Sequence, residues 1–97
     1  MSVTVLLTVT AKAECRDDLI AMFAQNFRQT RVYDGCIDVY MALSDASPNE
    51  LLLVQQWQTR PHYERYLAWR AETGVVDKLA AMADGEVSIR FFERLDA

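Results

Sequence analysis

The sequence predicts an α+β fold, a four-stranded antiparallel sheet with helices on one face, in the order β-α-β-β-α-β. Three observations predict it. Four stretches rich in β-branched and aromatic residues are patterned like strands. Two longer stretches repeat their apolar residues at helical spacing. Gly, Pro and Asn fall between them as breakers.

Val3, Val5, Leu7 and Val9 alternate with Thr4, Leu6, Thr8 and Thr10, which is the period of a strand. Lys12 to Glu14 read as its exit loop. From Cys15 to about Arg31 the period lengthens. Leu19, Phe23, Ala24 and Phe27 form an apolar stripe, widened by Ile20 and Met22. Asp17 and Asp18 open this helix and Arg28 lies near its end, as the helix dipole prefers. Asp34-Gly35 closes the segment, the glycine suiting a helix cap or turn.

Cys36 to Leu43 reads as the second strand, SDASPNE as a hairpin connection, and Leu51 to Trp57 as the third strand. Thr59 can cap the next helix, with Pro61 tolerated in its first turn. Gly74 breaks that helix, and Val75 to Ala83 continue it as a second piece. Gly85 stops it, and Val87 to Leu95 form the fourth strand. This order is the split βαβ, ferredoxin-like plan.

A length of 97 residues fits one domain, 1–97, near the small end of what folds alone. With 52% hydrophobic and 25% charged residues, the composition is that of a globular chain rather than a disordered one. A net charge of −4 and a pI near 4.8 argue against nucleic acid or an anionic membrane as the main partner. No apolar run reaches the ~18 residues a bilayer-crossing helix needs. The N-terminus has no basic region ahead of its apolar residues, so it suits a strand better than a signal peptide, and the chain reads as cytoplasmic. Cys15 and Cys36 make no CxxC pair and read as reduced thiols. One His and two distant Cys make no closed metal site, so no metal is expected.

The predicted sheet is apolar on both faces. Leu51, Leu53 and Trp57 fall on one side of strand three, Leu52 and Val54 on the other; Val87, Ile89 and Phe91 oppose Phe92 on strand four. Helices on one face leave the second bare, and the expectation is a twofold homodimer packed sheet to sheet. The alternative is a monomer whose second face is diluted by Gln56, Ser88 and Arg90.

Three local features carry a family resemblance: the turn DGCIDVY into strand two, an E-x-W-type ending of strand three (Gln55-Gln56-Trp57), and a helix soon after that Trp followed by a C-terminal strand of the I-R-F-F-E kind (Ile89 to Glu93). Across essentially the whole chain the sequence resembles the antibiotic biosynthesis monooxygenase (ABM) domain. The resemblance implies a dimeric α+β barrel with a pocket between sheet and helices in each subunit. It also implies a cofactor-free quinol- or phenol-type monooxygenase using O₂ on a small aromatic molecule. The chain departs from that pattern at named positions. Many members carry a His nine residues after the strand-three Trp, where this chain has Tyr66, and a second near the helix end, where it has Trp69-Arg70. Oxygenases of the antibiotic type carry an Asn four residues before the Trp, here Leu53. Strand one has no Asn, unlike the haem-degrading branch.

Such chemistry needs a deprotonated phenol or quinol in a dry pocket with aromatic walls. The stretch Leu51 to Arg70 offers most of the candidates. Trp57 is the candidate wall, with core packing as its plain alternative. Tyr66, on the stripe Tyr63, Tyr66, Leu67, Arg70, aims a hydroxyl at the pocket if that stripe faces the sheet. His62, the only histidine, is the natural general base, although positions 62, 65 and 69 share a flank. Arg70 could bind a phenolate or pair with Glu72. Trp69 adds aromatic surface, Tyr40 could reach either the pocket or the dimer interior, and Phe23 and Phe27, core by default, could close the far side. Asp38 and Arg90 read as a structural ion pair. The rivals to catalysis are a ligand-binding module and a purely dimeric accessory subunit.

Overall fold

The computed structural model describes residues 2–96. Its elements are β1 (Val3–Thr10), α1 (Arg16–Thr30), β2 (Cys36–Leu43), β3 (Glu50–Trp57), α2 (Arg60–Glu72), α3 (Val75–Met82) and β4 (Ser88–Glu93). The expected order holds, with small shifts. A 3-10 turn, Ala13–Cys15, occupies the end of the expected exit loop. β4 is shorter than the expected 87–95 because its ladder to β1 runs only from Thr8↔Ser88 to Val3↔Glu93.

The strand order is β2-β3-β1-β4, antiparallel throughout. β2 carries an irregularity between Cys36 and Asp38, which leaves Ile37 out of the ladder and exposed. On β3 the pleat decides everything: Leu51, Leu53, Gln55 and Trp57 are buried under the helices, while Leu52, Val54 and Gln56 on the other face are half-buried. Register puts Tyr40 beside Val54, and Phe92 beside Thr4, on that same open face. Asp38 and Arg90 lie on opposite edge strands and make no ion pair among the described residues; the Asp38 carboxylate accepts instead from the Val39 N–H.

Two clusters make up the core. Leu19, Phe23 and Phe27 of α1 and Leu79 of α3 pack on Leu7, Val9, Leu51 and Leu53. Tyr63 and Tyr66 of α2 pack on Val5 and Trp57. No helix among the described residues is long and apolar enough to cross a membrane.

Two glycines show why the breakers stand where they do. Gly35 and Gly74 have φ of +89° and +85°. At Gly74 a Cβ would meet nothing, but at Gly35 it would fall onto the His62 ring. Gly74→Ala is therefore expected to cost only left-handed strain, about 1–2 kcal/mol. Gly35→Ala is expected to cost more, and His62→Ala in the same chain to recover only part of the excess, because the His62 Cβ also lies against the added methyl. Urea unfolding of these three variants and of His62→Ala alone checks this; equal losses at the two glycines would contradict it.

Candidate active site between the helices and the sheet

The site begins with how α2 is seated. Thr59 is the N-cap, its hydroxyl accepting from the His62 N–H at 3.3 Å, and Pro61 sits in the first turn, where its missing N–H costs nothing. The Gly35 carbonyl accepts from the Gln58 N–H at 2.8 Å and pins the entry to the helix. The buried face of α2 is Tyr63, Tyr66 and Arg70, at i, i+3 and i+7. The facing stripe of α1 is Phe23, Phe27 and Thr30, at i, i+4 and i+7.

Between these stripes and the sheet lies a cavity of about 50 Å³. Phe23, Phe27, Leu7 and Leu53 form apolar walls, and Asn26, Thr30, Gln55, Tyr63, Tyr66 and Arg70 supply the polar groups. On its other side, Leu7, Leu67, Val76 and Leu79 are shared with an apolar groove of about 600 Å³ that runs to Val87 and Ile89. The cavity alone holds a few waters. The groove is within the range of small-molecule sites, ~300–1,000 Å³.

Arg70 organises the polar end. It is 4% exposed. Its Nε–H donates to the Tyr66 hydroxyl at 2.9 Å, Nη1 to Gln29 Oε1 at 3.0 Å, and Nη2 to the Asn26 carbonyl at 2.9 Å and Thr30 Oγ1 at 3.3 Å. The Thr30 hydroxyl donates to the Asn26 carbonyl at 3.0 Å and lies 2.8 Å from Tyr66 Oη. No carboxylate pairs with Arg70 among the described residues, so the expected partner Glu72 is not used. The guanidinium sits on the last turn of α1, whose carbonyls present the negative end of the helix dipole. That compensates the charge in part and leaves a positive bias at the cavity wall.

Gln55 and Tyr63 complete the wall from sheet and helix. The Trp57 indole N–H donates to Gln55 Oε1 at 3.1 Å. The Tyr63 hydroxyl makes no hydrogen bond among the described residues. Burial, with Tyr66 beside it, pushes the Tyr63 phenol well above its ordinary value of 10.0. An unfolded tyrosine loses its proton near that value, so above it the unfolded chain binds fewer protons than the folded one. Stability should then fall as pH rises past about 10, by up to ~1.4 kcal/mol per pH unit. Tyr63→Phe should remove that slope, which urea unfolding at pH 9 and pH 11 measures.

The sequence candidates divide. Phe23, Phe27, Tyr66 and Arg70 come together on the cavity. Trp57 does not line it: the ring is 0% exposed, with Tyr66 at 4.9 Å and Tyr63 at 5.7 Å between centroids. Trp69 stacks on Tyr33 at 5.3 Å outside it. Tyr40 is on the open face of the sheet, 52% exposed, because its register partner is Val54. His62 stays on the flank. Its Nδ1 is 2.6 Å from the Thr59 hydroxyl and its Nε2 is 3.8 Å from Asp34. Sequence reasoning missed Asn26, Thr30, Gln55 and Tyr33. Gln55 shares the inward parity of Leu53 and Trp57, and Thr30 continues the stripe of Phe23 and Phe27, so both carried a signal. Tyr33, in the loop after α1, carried none.

Cys15 and Cys36 are free, and burial, with Asp38 next, pushes the Cys36 thiol up, away from a reactive thiolate. Among the described residues no three His, Cys, Asp or Glu side chains converge as metal ligands would.

Against known families, residues 2–73 match the antibiotic biosynthesis monooxygenase family. The chain belongs to that family. No curated protein matches the sequence. Among solved structures, a conserved protein from Methanosarcina mazei Go1 is 16% identical, with a TM-score of 0.89 over 98% of this chain and 94% of that one. Rv0793 from Mycobacterium tuberculosis is 21% identical, with a TM-score of 0.80 over 100% and 98%. SnoaB from Streptomyces nogalater, a cofactor-independent oxygenase solved as a point mutant, is 14% identical, with a TM-score of 0.84 over 99% and 95%. At these identities the likeness is one of fold. The ABM fold is thus the one on which the cavity above is built.

Proposed function

We propose that this ABM-family chain is a cofactor-independent monooxygenase that oxidises a small aromatic, quinol-like substrate with O₂. A hydroquinone and O₂ give a hydroxyquinone and water. The substrate supplies all four electrons, so no outside reductant is needed. One oxygen atom enters the ring and the other leaves as water.

The observation that carries the reading is the cavity, apolar and aromatic on its walls with buried polar donors at one end. The ring lies in the groove and the cavity it adjoins, once Leu67, Val76 and Leu79 part to admit it. Arg70, through its remaining Nη1 N–H, and Tyr66, once its hydroxyl turns from Thr30, meet one ring oxygen and favour the electron-rich anion, which is the form that reacts with O₂. Helices and sheet keep water away from the intermediates. The activity for which the family is named, and that of SnoaB, support this choice of reaction. The working unit is a homodimer joined through the open sheet face, where Leu6, Tyr40, Leu52, Val54 and Phe92 lie without a helix over them.

A second reading, ligand binding without chemistry, is favoured by one observation: among the described residues no imidazole or carboxylate lines the cavity. Oxygen uptake with a panel of quinols separates the two. The expected result is uptake that a chelator does not change and that Tyr66→Phe lowers by about a hundredfold. His62→Ala, its ring outside the cavity, should stay near wild type; a large loss there would restore His62 as the base. No uptake with any quinol, alongside ligand-induced stabilisation, would favour the binding module.

A further inference from the structure

Two side chains on the cavity wall hold unused hydrogen-bonding capacity, and their placement says what they bind. Gln55 is 4% exposed and Tyr63 is 1% exposed. An indole N–H can only donate, so its bond to Gln55 Oε1 fixes which end of the carboxamide faces Trp57. The oxygen is taken and the NH₂ is turned away from it. Neither that nitrogen nor the Tyr63 hydroxyl has a hydrogen-bond partner among the described residues. Yet no enclosed side-chain nitrogen or oxygen is left without a partner there. Both groups therefore reach open space, and both line the same cavity. Burial keeps the proton on Tyr63, so the pair presents N–H and O–H donors. No carboxylate shares the wall.

We propose that Gln55 and Tyr63 are the donor pair that reads an acceptor oxygen of the bound ring other than the one Arg70 and Tyr66 meet, a carbonyl or phenolate oxygen, and that Trp57 is the positioning residue that holds the carboxamide nitrogen toward it. This rests on the reading of the cavity as the ligand site and adds to it the group that selects the ligand. A ring without that oxygen leaves two buried donors unpaired and is rejected; a ring that carries it satisfies both.

The probes are 1-tetralone and tetralin, one skeleton with and without the oxygen, measured by titration calorimetry on wild type and variants. Wild type should prefer the ketone by about 30-fold. Gln55→Leu should lower that preference at least tenfold and leave tetralin binding as it was. Tyr63→Phe, which keeps the ring and removes only the hydroxyl, should lower it severalfold and serves if the leucine variant does not fold. Trp57→Phe frees the carboxamide to turn. It should lower the preference in the wild-type background and change nothing further in Gln55→Leu, a non-additivity that a merely structural role would not give. If wild type shows the preference and Gln55→Leu and Tyr63→Phe both keep it, the donor pair is wrong and the cavity reading stands. If wild type binds neither probe, the cavity reading falls and the inference with it.

Discussion

Replacing Trp57 with alanine should lower the unfolding free energy by about 3–5 kcal/mol. The indole is fully enclosed and meets Tyr33, Tyr63 and Tyr66 at centroid distances of 6.2, 5.7 and 4.9 Å. It also closes two ladders at once, opposite Val3 of β1 and Cys36 of β2. Truncation leaves a hole that strands cannot close over, because both neighbours are held by their own hydrogen bonds. It also strips Gln55 Oε1 of its donor. Trp57→Phe keeps most of the volume and loses the donor, so about 1–2 kcal/mol is expected. Urea unfolding at one fixed protein concentration measures both. A loss under ~1 kcal/mol for the alanine variant would show that the aromatic cluster does not hold α2 to the sheet.

Leu52→Arg should turn the proposed dimer into a monomer. Leu52 sits on the open face of β3, an inner strand, beside Ala42 and Thr8. Across a twofold axis each copy would bury a guanidinium close to its own image. The expected penalty is several kcal/mol, roughly a thousandfold or more in dissociation constant. Sedimentation at low micromolar concentration should give twice the chain mass for wild type and 11.1 kDa for the variant. A wild-type particle of 11.1 kDa would remove the dimer, and a dimeric variant would place the interface elsewhere. The helix-side cavity is built within one chain and is independent of that result.

How far the fold was legible follows from what each signal measures. Strand parity put Leu51, Leu53 and Trp57 inward, and the structure agrees, because side chains alternate faces whatever the tertiary setting. The same parity also put Gln55 inward. A polar residue on a buried face marks a place where the core gives way to a cavity, and Gln55 lines one. The stripe Tyr63, Tyr66, Leu67, Arg70 was legible from spacing. Hydropathy alone would have missed it, since the buried face of α2 ends in two phenols and a guanidinium. The aromatic character of Trp69 and Tyr40 says nothing of their neighbours. Where they sit depends on Tyr33 folding back under α2 and on the register of β2, and neither is a local property. Arg70 illustrates the same limit. Its sequence neighbour Glu72 was the available acid, but the last turn of α1 packs against that end of α2 and takes the guanidinium instead.

The strand order has a consequence for how the chain is made. β1 lies between β3 and β4, so both of its partners are synthesised after it. That strand carries rows of amide and carbonyl groups that stay unmatched until β3, and then β4, have followed it. Thr4, Thr8 and Thr10 keep one face of that waiting segment wettable in the meantime. Contacts so far apart along the chain make for slow acquisition of the native state compared with a helical bundle of equal size.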